Sequence, residues 1–301
     1  MFKILDLFAG SGGFSLGFEL IGHKTHTHIE IDKYASETIK TNFAKSNVIV
    51  DDIRFIDPKS LSRNKFDLII GGPPCQGFSV AGSSQYGIQD SRNELVFHFL
   101  NFVQQIKPKL AIMENVPGVL TKKSKDGETF LNLIEKIATE MNYKTKYTII
   151  NAKNFGVPQS RKRAFIAFYQ NNEFSFPEWT HSDENQKTLL DNFQKLVTVN
   201  DAISDLPIVK SGEKGSGLEY KCPPKNKFQQ FCRKDSKGIT NHDAMRHTDR
   251  LLERFKIIEP GKSLKDVPIE HGQIQYGTGK KINNGPKSVI NFKNDLFTHN
   301  Y

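Results

Sequence analysis

Short apolar runs, each long enough for one strand, alternate with segments of helical periodicity through the first half of the chain, and that rhythm leaves few folds open. The runs are FKILDLFA (2–9), THIEI (27–31), SNVIV (46–50), FDLIIGG (66–72), KLAIMEN (109–115) and YTIIN (147–151). Between them, FSLGFELIG (14–22) and YASETIKTNF (34–43) repeat apolar residues every three to four positions, the spacing of one helix face. Strands alternating with helices predict βαβ units and a mostly parallel α/β sheet. In such a sheet ligands bind beyond the carboxyl ends of the strands, so the loops that follow strands are where chemistry is expected.

Past about residue 170 the texture changes. Asn, Gln, Lys and Asp become frequent, Gly and Pro punctuate, and strand-like runs thin out, as in HSDENQK (181–187) and VKSGEKGSGLEYKCPPKNK (209–227). A second, smaller and irregular domain is expected there, with a helix over DAMRHTDRLLERFKII (243–258); the division runs 1–170 and 171–301. The excess of 42 Lys and Arg over 33 Asp and Glu, a net +9, favours an anionic partner such as nucleic acid without requiring one. Three cysteines without a CxxC pair predict neither a disulfide framework nor a four-ligand zinc site. The N-terminus lacks the basic start and apolar core of a secretion signal, and no run reaches the roughly 18 apolar residues of a membrane span, so a cytoplasmic protein is expected.

DLFAGSGGF (6–14) ends the first strand run and opens a helix. Glycines at 10, 12 and 13 permit a tight turn and close approach of backbone to a ligand, although a plain strand-to-helix turn also uses small residues. Glu30 ends the second run, about where doubly wound folds place an acid for ribose hydroxyls. The third run ends in Asp51-Asp52-Ile53, an acid beside an apolar residue that suits an adenine amino group, or equally a solvated turn. The glycines are not in the register of a pyrophosphate loop and no basic residue follows them. A phosphate-free adenosine cofactor, S-adenosylmethionine, fits better than a dinucleotide.

GGPPCQGFS (71–79) follows the fourth run, which puts Cys75 on a strand-end loop stiffened by two prolines. A lone cysteine is more often a buried small hydrophobe than a nucleophile, but a glycine-flanked Pro-Pro-Cys-Gln does not resemble a core position. Glu114 ends the fifth run, where it serves either as a general acid or as a strand-end partner for a lysine. Arg161 and Arg163 in QSRKRAFIAF (159–168) are two apart at a strand start, so both point to one face, whether as a basic edge or as a contact inside a site.

Taken in order, DLFAGSGGF, Glu30, Asp52-Ile53, PPCQ, DSRNEL (90–95), ENV and QSRKR resemble the cytosine-5 DNA methyltransferases of bacterial restriction-modification systems, densely over residues 1–168. The resemblance implies a Rossmann-like S-adenosylmethionine-dependent methyltransferase fold with a smaller target-recognition domain. It implies that Phe8, Gly10, Ser11 and Gly12 line the methionine end of the cofactor, that Glu30 holds the ribose, and that Ile31, Asp52 and Ile53 surround the adenine, with Pro74 and Leu95 also in contact. It assigns Cys75 to attack on carbon-6 of a flipped cytosine, Glu114 to ring nitrogen 3, Arg163 to the carbonyl oxygen and Arg161 to orienting the pocket. Double-stranded DNA is the implied partner, and no metal is implied.

Two elements of the family pattern are missing: the segment resembling T-x-R-E-A-A-R-L-Q-x-F-P and the Gly-Asn-x-Val helix that packs back on the cofactor loop. A second polypeptide supplying them, or a truncated chain, is therefore expected. The alternatives are a tRNA cytosine-5 methyltransferase, disfavoured by the lack of a Cys-Phe-Thr element, a catalytically silent DNA-binding subunit, and a nicotinamide oxidoreductase.

Overall fold

The computed structural model describes residues 1–74, 94–123, 127–170, 173–183, 193–234, 236–259 and 262. It divides into two compact units, one of Met1–Ile150 with Lys162–Pro177, the other of Asn151–Arg161 with the described residues from Glu178 onward.

The first unit is built on strands β1 (Lys3–Leu7), β2 (Lys24–Glu30), β3 (Asn47–Val50), β4 (Leu68–Gly71), β5 (Leu110–Asn115), β6 (Lys144–Asn151) and β7 (Lys162–Tyr169), ordered β3-β2-β1-β4-β5-β7-β6. β1 to β5 pair in parallel, and β7 joins β5 antiparallel with Glu114 opposite Phe165 and Asn115 opposite Ala164. Every parallel strand therefore ends on one edge, and β7 begins on that same edge. The helices are α1 (Gly13–Leu20), α2 (Lys33–Asn42), α3 (Pro58–Ser62), α4 (Glu94–Ile106) and α5 (Phe130–Glu140).

Alternate residues of the central strands face opposite layers. Leu5, Leu7, Ile69 and Met113 pack with Val96, Phe99 and Phe102 of α4 and Phe130 and Ile134 of α5. On the other face Ile4, Leu68 and Ile70 meet Phe14 and Phe18 of α1. Strands covered on both sides read as unbroken apolar runs, which is why the first-half pattern predicts them well. Gly71 carries no side chain because a Cβ there would stand 2.5 Å from the Leu7 carbonyl oxygen and 3.1 Å from the Phe99 ring.

In the second unit β8 (His181–Ser182) and β9 (Gln194–Lys195) form a short parallel pair, followed by α6 (Val199–Ile203), α7 (Lys227–Arg233) and α8 (Asp249–Lys256). Thr198 and Asp201 close a capping box on α6. Arg233 joins buried Asp205 at 3.1 Å and lies 3.7 Å over the Tyr220 ring. The helix expected over 243–258 is shorter, because the preceding backbone is engaged elsewhere. Ala244 donates to Glu213, Gly212 donates to Met245, and the His247 N–H donates to Ser211 Oγ, so tertiary pairing wins over helical periodicity. Among the described residues no helix is long and apolar enough to cross a membrane.

One buried carboxyl ties β1 to α1. Asp6 is almost inaccessible, accepts a 2.6 Å hydrogen bond from Ser15 Oγ, and is pushed up to about 7, chiefly by burial. The folded state thus keeps a proton that the unfolded chain releases near pH 4, so this group's stabilisation is complete below that pH and is lost as pH rises through about 7. Asp6→Asn cannot ionise. Chemical denaturation from pH 4 to 8 is expected to show the wild type losing stability relative to Asp6→Asn by on the order of a few kcal/mol; parallel curves would contradict it.

Candidate active site

The turn from β1 into α1 runs through three residues with left-handed backbone, Phe8 (φ 57°), Gly10 (φ 53°) and Gly12 (φ 84°). Phe8 bears a bulky side chain in a region such residues rarely occupy, a strain typical of ligand-binding loops. Gly12 is required for space as well as for φ, since a Cβ there would lie 2.5 Å from Phe43 Cε2.

Glu30 closes the turn from the neighbouring strand. Its Oε2 accepts the Gly10 N–H at 2.7 Å and its Oε1 the Asp32 N–H at 2.8 Å. A carboxylate offers about four lone-pair sites, so two remain for hydroxyl donors.

Between the ends of β1, β2, β3 and β4 lies a cavity of about 370 Å³, within the range of small-ligand sites. Phe8, Glu30, Ile31, Asp52, Ile53, Pro74 and Leu95 all line it, as do Ile29, Asp51, Arg54 and Gly72. Gly10, Ser11 and Gly12 are not in its wall; Gly10 acts on it through Glu30, Gly12 is buried against Phe43, and Ser11 is exposed. The Asp52 carboxyl is held below its usual range, first by its hydrogen bond from the Arg54 side chain. Apolar Phe8, Ile29, Ile31, Ile53 and Leu95 with three acids, Glu30, Asp51 and Asp52, and among the described lining residues one cation, Arg54, which pairs with Asp52, suit an uncharged sugar and base better than phosphates.

Cys75 lies outside the described residues, but the strand leading to it is fixed. Gly72 lines the cavity, and a Cβ built on it would be 3.3 Å from Glu114 Oε2. Glu114 Oε1 pairs with Arg163 Nε at 2.8 Å; the antiparallel start of β7 makes that meeting possible. Arg161 falls just before β7, in the second unit, where its carbonyl accepts the Ala152 N–H.

Asn115 was not among the residues singled out from sequence. Its buried Nδ2 donates to the Pro73 carbonyl at 3.3 Å while its Oδ1 accepts the Val116 N–H at 2.8 Å. Two consecutive prolines offer no N–H, so a carbonyl is all that this segment can present to an anchor. Among the described residues no group of three or more His, Cys, Asp or Glu is placed to hold a metal.

The C-5 cytosine-specific DNA methylase family matches residues 2–294. The chain belongs to that family. It is 40% identical over 286 residues to Type II methyltransferase M.DdeI of Desulfomicrobium norvegicum, covering 93% of this chain and 66% of that protein. It is 38% identical over 221 residues to Type II methyltransferase M.AquIA of Picosynechococcus sp., covering 68% of this chain and 89% of that protein. The chain thus spans just under two thirds of M.DdeI and most of M.AquIA. A solved DNA modification methyltransferase encoded within an E. coli prophage shares the fold, with a TM-score of 0.72 and 23% identity over 99% of this chain and 82% of that one.

The loop geometry separates two adjacent glycines. Gly12→Ala is expected to lower stability by about 1–3 kcal/mol through overpacking and backbone strain. Gly13→Ala, with open space around its Cβ at the first position of α1, is expected to leave stability unchanged or raise it by about 0.5–1 kcal/mol. Thermal unfolding compares them, and equal losses would contradict the reading.

Proposed function

We propose that this chain carries the cofactor-binding and catalytic part of a DNA cytosine-5 methyltransferase. It moves a methyl group from S-adenosylmethionine to carbon-5 of a cytosine flipped out of a short specific site in double-stranded DNA. The observation that carries the reading is the segment leaving β4, whose Gly72 and Pro74 line the cavity while a Cβ on Gly72 would come within 3.3 Å of Glu114 Oε2.

In this reading Glu30 binds the ribose hydroxyls through its two remaining acceptor sites, while Ile31 and Ile53 flank the adenine and Asp52 takes its amino group. Phe8, Gly10, Ser11 and Gly12 shape the methionine end, with Pro74 and Leu95 against the cofactor. The bound cofactor supplies an electrophilic methyl on a sulfonium. Carbon-5 of cytosine is a weak nucleophile. Addition of the Cys75 thiolate to carbon-6, with a proton passed from Glu114 to ring nitrogen 3, leaves an enamine whose carbon-5 can take the methyl. Transfer of the carbon-5 proton to water then returns the electrons that expel the Cys75 thiolate, and nitrogen 3 gives its proton back to Glu114. Arg163 holds the ring carbonyl oxygen while keeping Glu114 in place, and Arg161 helps to orient the pocket. A stacked base hides carbon-6, so the cytosine is extruded at a cost on the order of a few kcal/mol, offset by phosphate and base contacts from residues 171–301 as target-recognition region.

The proposed activity belongs to the chain together with the sequence that M.DdeI carries outside the matched part, supplied by a second polypeptide. Support comes from α1, whose Leu16 and Leu20, four residues apart on one helix face, are both exposed, an apolar strip suited to a covering helix. The place of action is the cytoplasm, where the DNA of a restriction-modification host lies.

The test is covalent trapping on duplex DNA containing 5-fluorocytosine, with the chain alone and with the complementing segment of M.DdeI added. The complemented wild type is expected to form a denaturation-resistant adduct, Cys75→Ser none, and Glu114→Gln an adduct slowed by on the order of 10²–10⁴. An adduct with Cys75→Ser, or faster methyl transfer to tRNA than to duplex DNA, would sink the proposal.

A further inference from the structure

Asp52 is not held by the strand it follows but by a residue two positions on. It caps a 3-10 turn at Ile53–Phe55, its Oδ1 accepting the Arg54 N–H at 3.0 Å. Arg54 Nε donates to Oδ1 and Oδ2 at 3.0 Å each, and Nη2 donates to Oδ2 at 2.5 Å. Backbone and side chain of one residue thus fill most of the four or so acceptor sites of the carboxylate, leaving a single edge open. The guanidinium itself lines the cavity and its carbon lies 5.9 Å from the centre of the Phe55 ring.

We infer that Arg54 is a positioning residue that sets cofactor specificity: it fixes the Asp52 carboxylate with one acceptor edge turned to the cavity, so that a purine bearing an amino group is taken and a deaminated one refused. The inference rests on the adenosyl reading of the cavity given above.

The chemistry is a donor–acceptor match. An ionised carboxylate can only accept, so it pairs with an adenine amino group and repels the keto oxygen of a hypoxanthine. A carboxylate free to rotate out of the base plane meets neither group squarely and loses the distinction. Arg54 opposes that failure, locking the carboxylate plane with a rigid fork that a lysine would reproduce only in part. The ion pair is more than half exposed on the arginine side, so its effect on stability is small and its consequence is orientation. His98 of α4 also acts, after Arg54, to lower the Asp52 carboxyl, and Asp51 accepts the Asp52 N–H at 2.7 Å.

Calorimetric titration of the chain complemented with the segment of M.DdeI used above, with S-adenosylhomocysteine and with S-inosylhomocysteine, decides it, on wild type, Arg54→Met, Arg54→Lys, Asp52→Asn and the double variant Asp52→Asn/Arg54→Met. The wild type is expected to prefer the adenosyl compound, Arg54→Met to reduce that preference at least about tenfold, and Arg54→Lys to restore part of it. On the Asp52→Asn background, Arg54→Met is expected to change the preference no further. Loss of preference with Asp52→Asn but not with Arg54→Met overturns the role of Arg54 and leaves the adenosyl reading standing, as does an undiminished Arg54→Met effect on the Asp52→Asn background. Binding of neither compound by the wild type, or a preference indifferent to Asp52→Asn, overturns both.

Discussion

A parallel strand order forces the start of every crossover to one edge of the sheet, and everything chemical in this chain depends on that constraint. β1, β2, β3, β4 and β5 deliver the glycine turn, Glu30, Asp52, Gly72–Pro74 and Glu114 to the same edge. None of these groups is close to the others in sequence. The antiparallel β7 adds a residue from its beginning rather than its end, so Arg163 reaches Glu114 without a further crossover.

The edge is held by hydrogen bonds whose donors are backbone. Glu30 spans two turns by accepting from Gly10 and Asp32, and Asn115 joins the end of β5 to the segment leaving β4. Carboxylates and amides that bridge loops in this way fix geometry at little cost, because the N–H groups they satisfy need partners wherever they are buried. The strained φ of Phe8 is sustained by the same arrangement.

Much of the first unit was legible because buried parallel strands are continuous apolar runs and their ends carry acids at recognisable spacings. Six of the seven sheet strands fall on the predicted runs, and QSRKRAFIAF marks the seventh. Seven of the ten residues expected around the cofactor line the cavity. What was not legible depends on partners far away in sequence. Nothing local in ENV announces that Asn115 reaches Pro73, since the reason is the missing N–H groups of a segment 42 residues earlier. Arg54 looks like a solvated charge until the capping geometry of Asp52 is seen. The stretch 243–248 has helical periodicity, but its backbone donors and acceptors are taken by residues 211–213. Cys75, the strongest sequence expectation, lies outside the described residues.

The relation between Glu114 and the proline segment after β4 follows from one strand end. Glu114 and Asn115 are consecutive on β5, so their side chains leave opposite faces of the strand. One places a carboxylate against Gly72 and the other grips the carbonyl of Pro73. A loop of two prolines cannot anchor itself through N–H groups, so its position relative to the acid is dictated from outside by the adjacent side chain. Any shift of β5 moves both together and preserves their spacing. A displacement of Asn115 alone would let the loop drift while the acid stayed paired with Arg163, and reacting groups misplaced by about 1 Å can lose on the order of 10² in rate. Of the two consecutive residues, one sets its carboxylate against Gly72 and the other holds the proline segment that leaves β4.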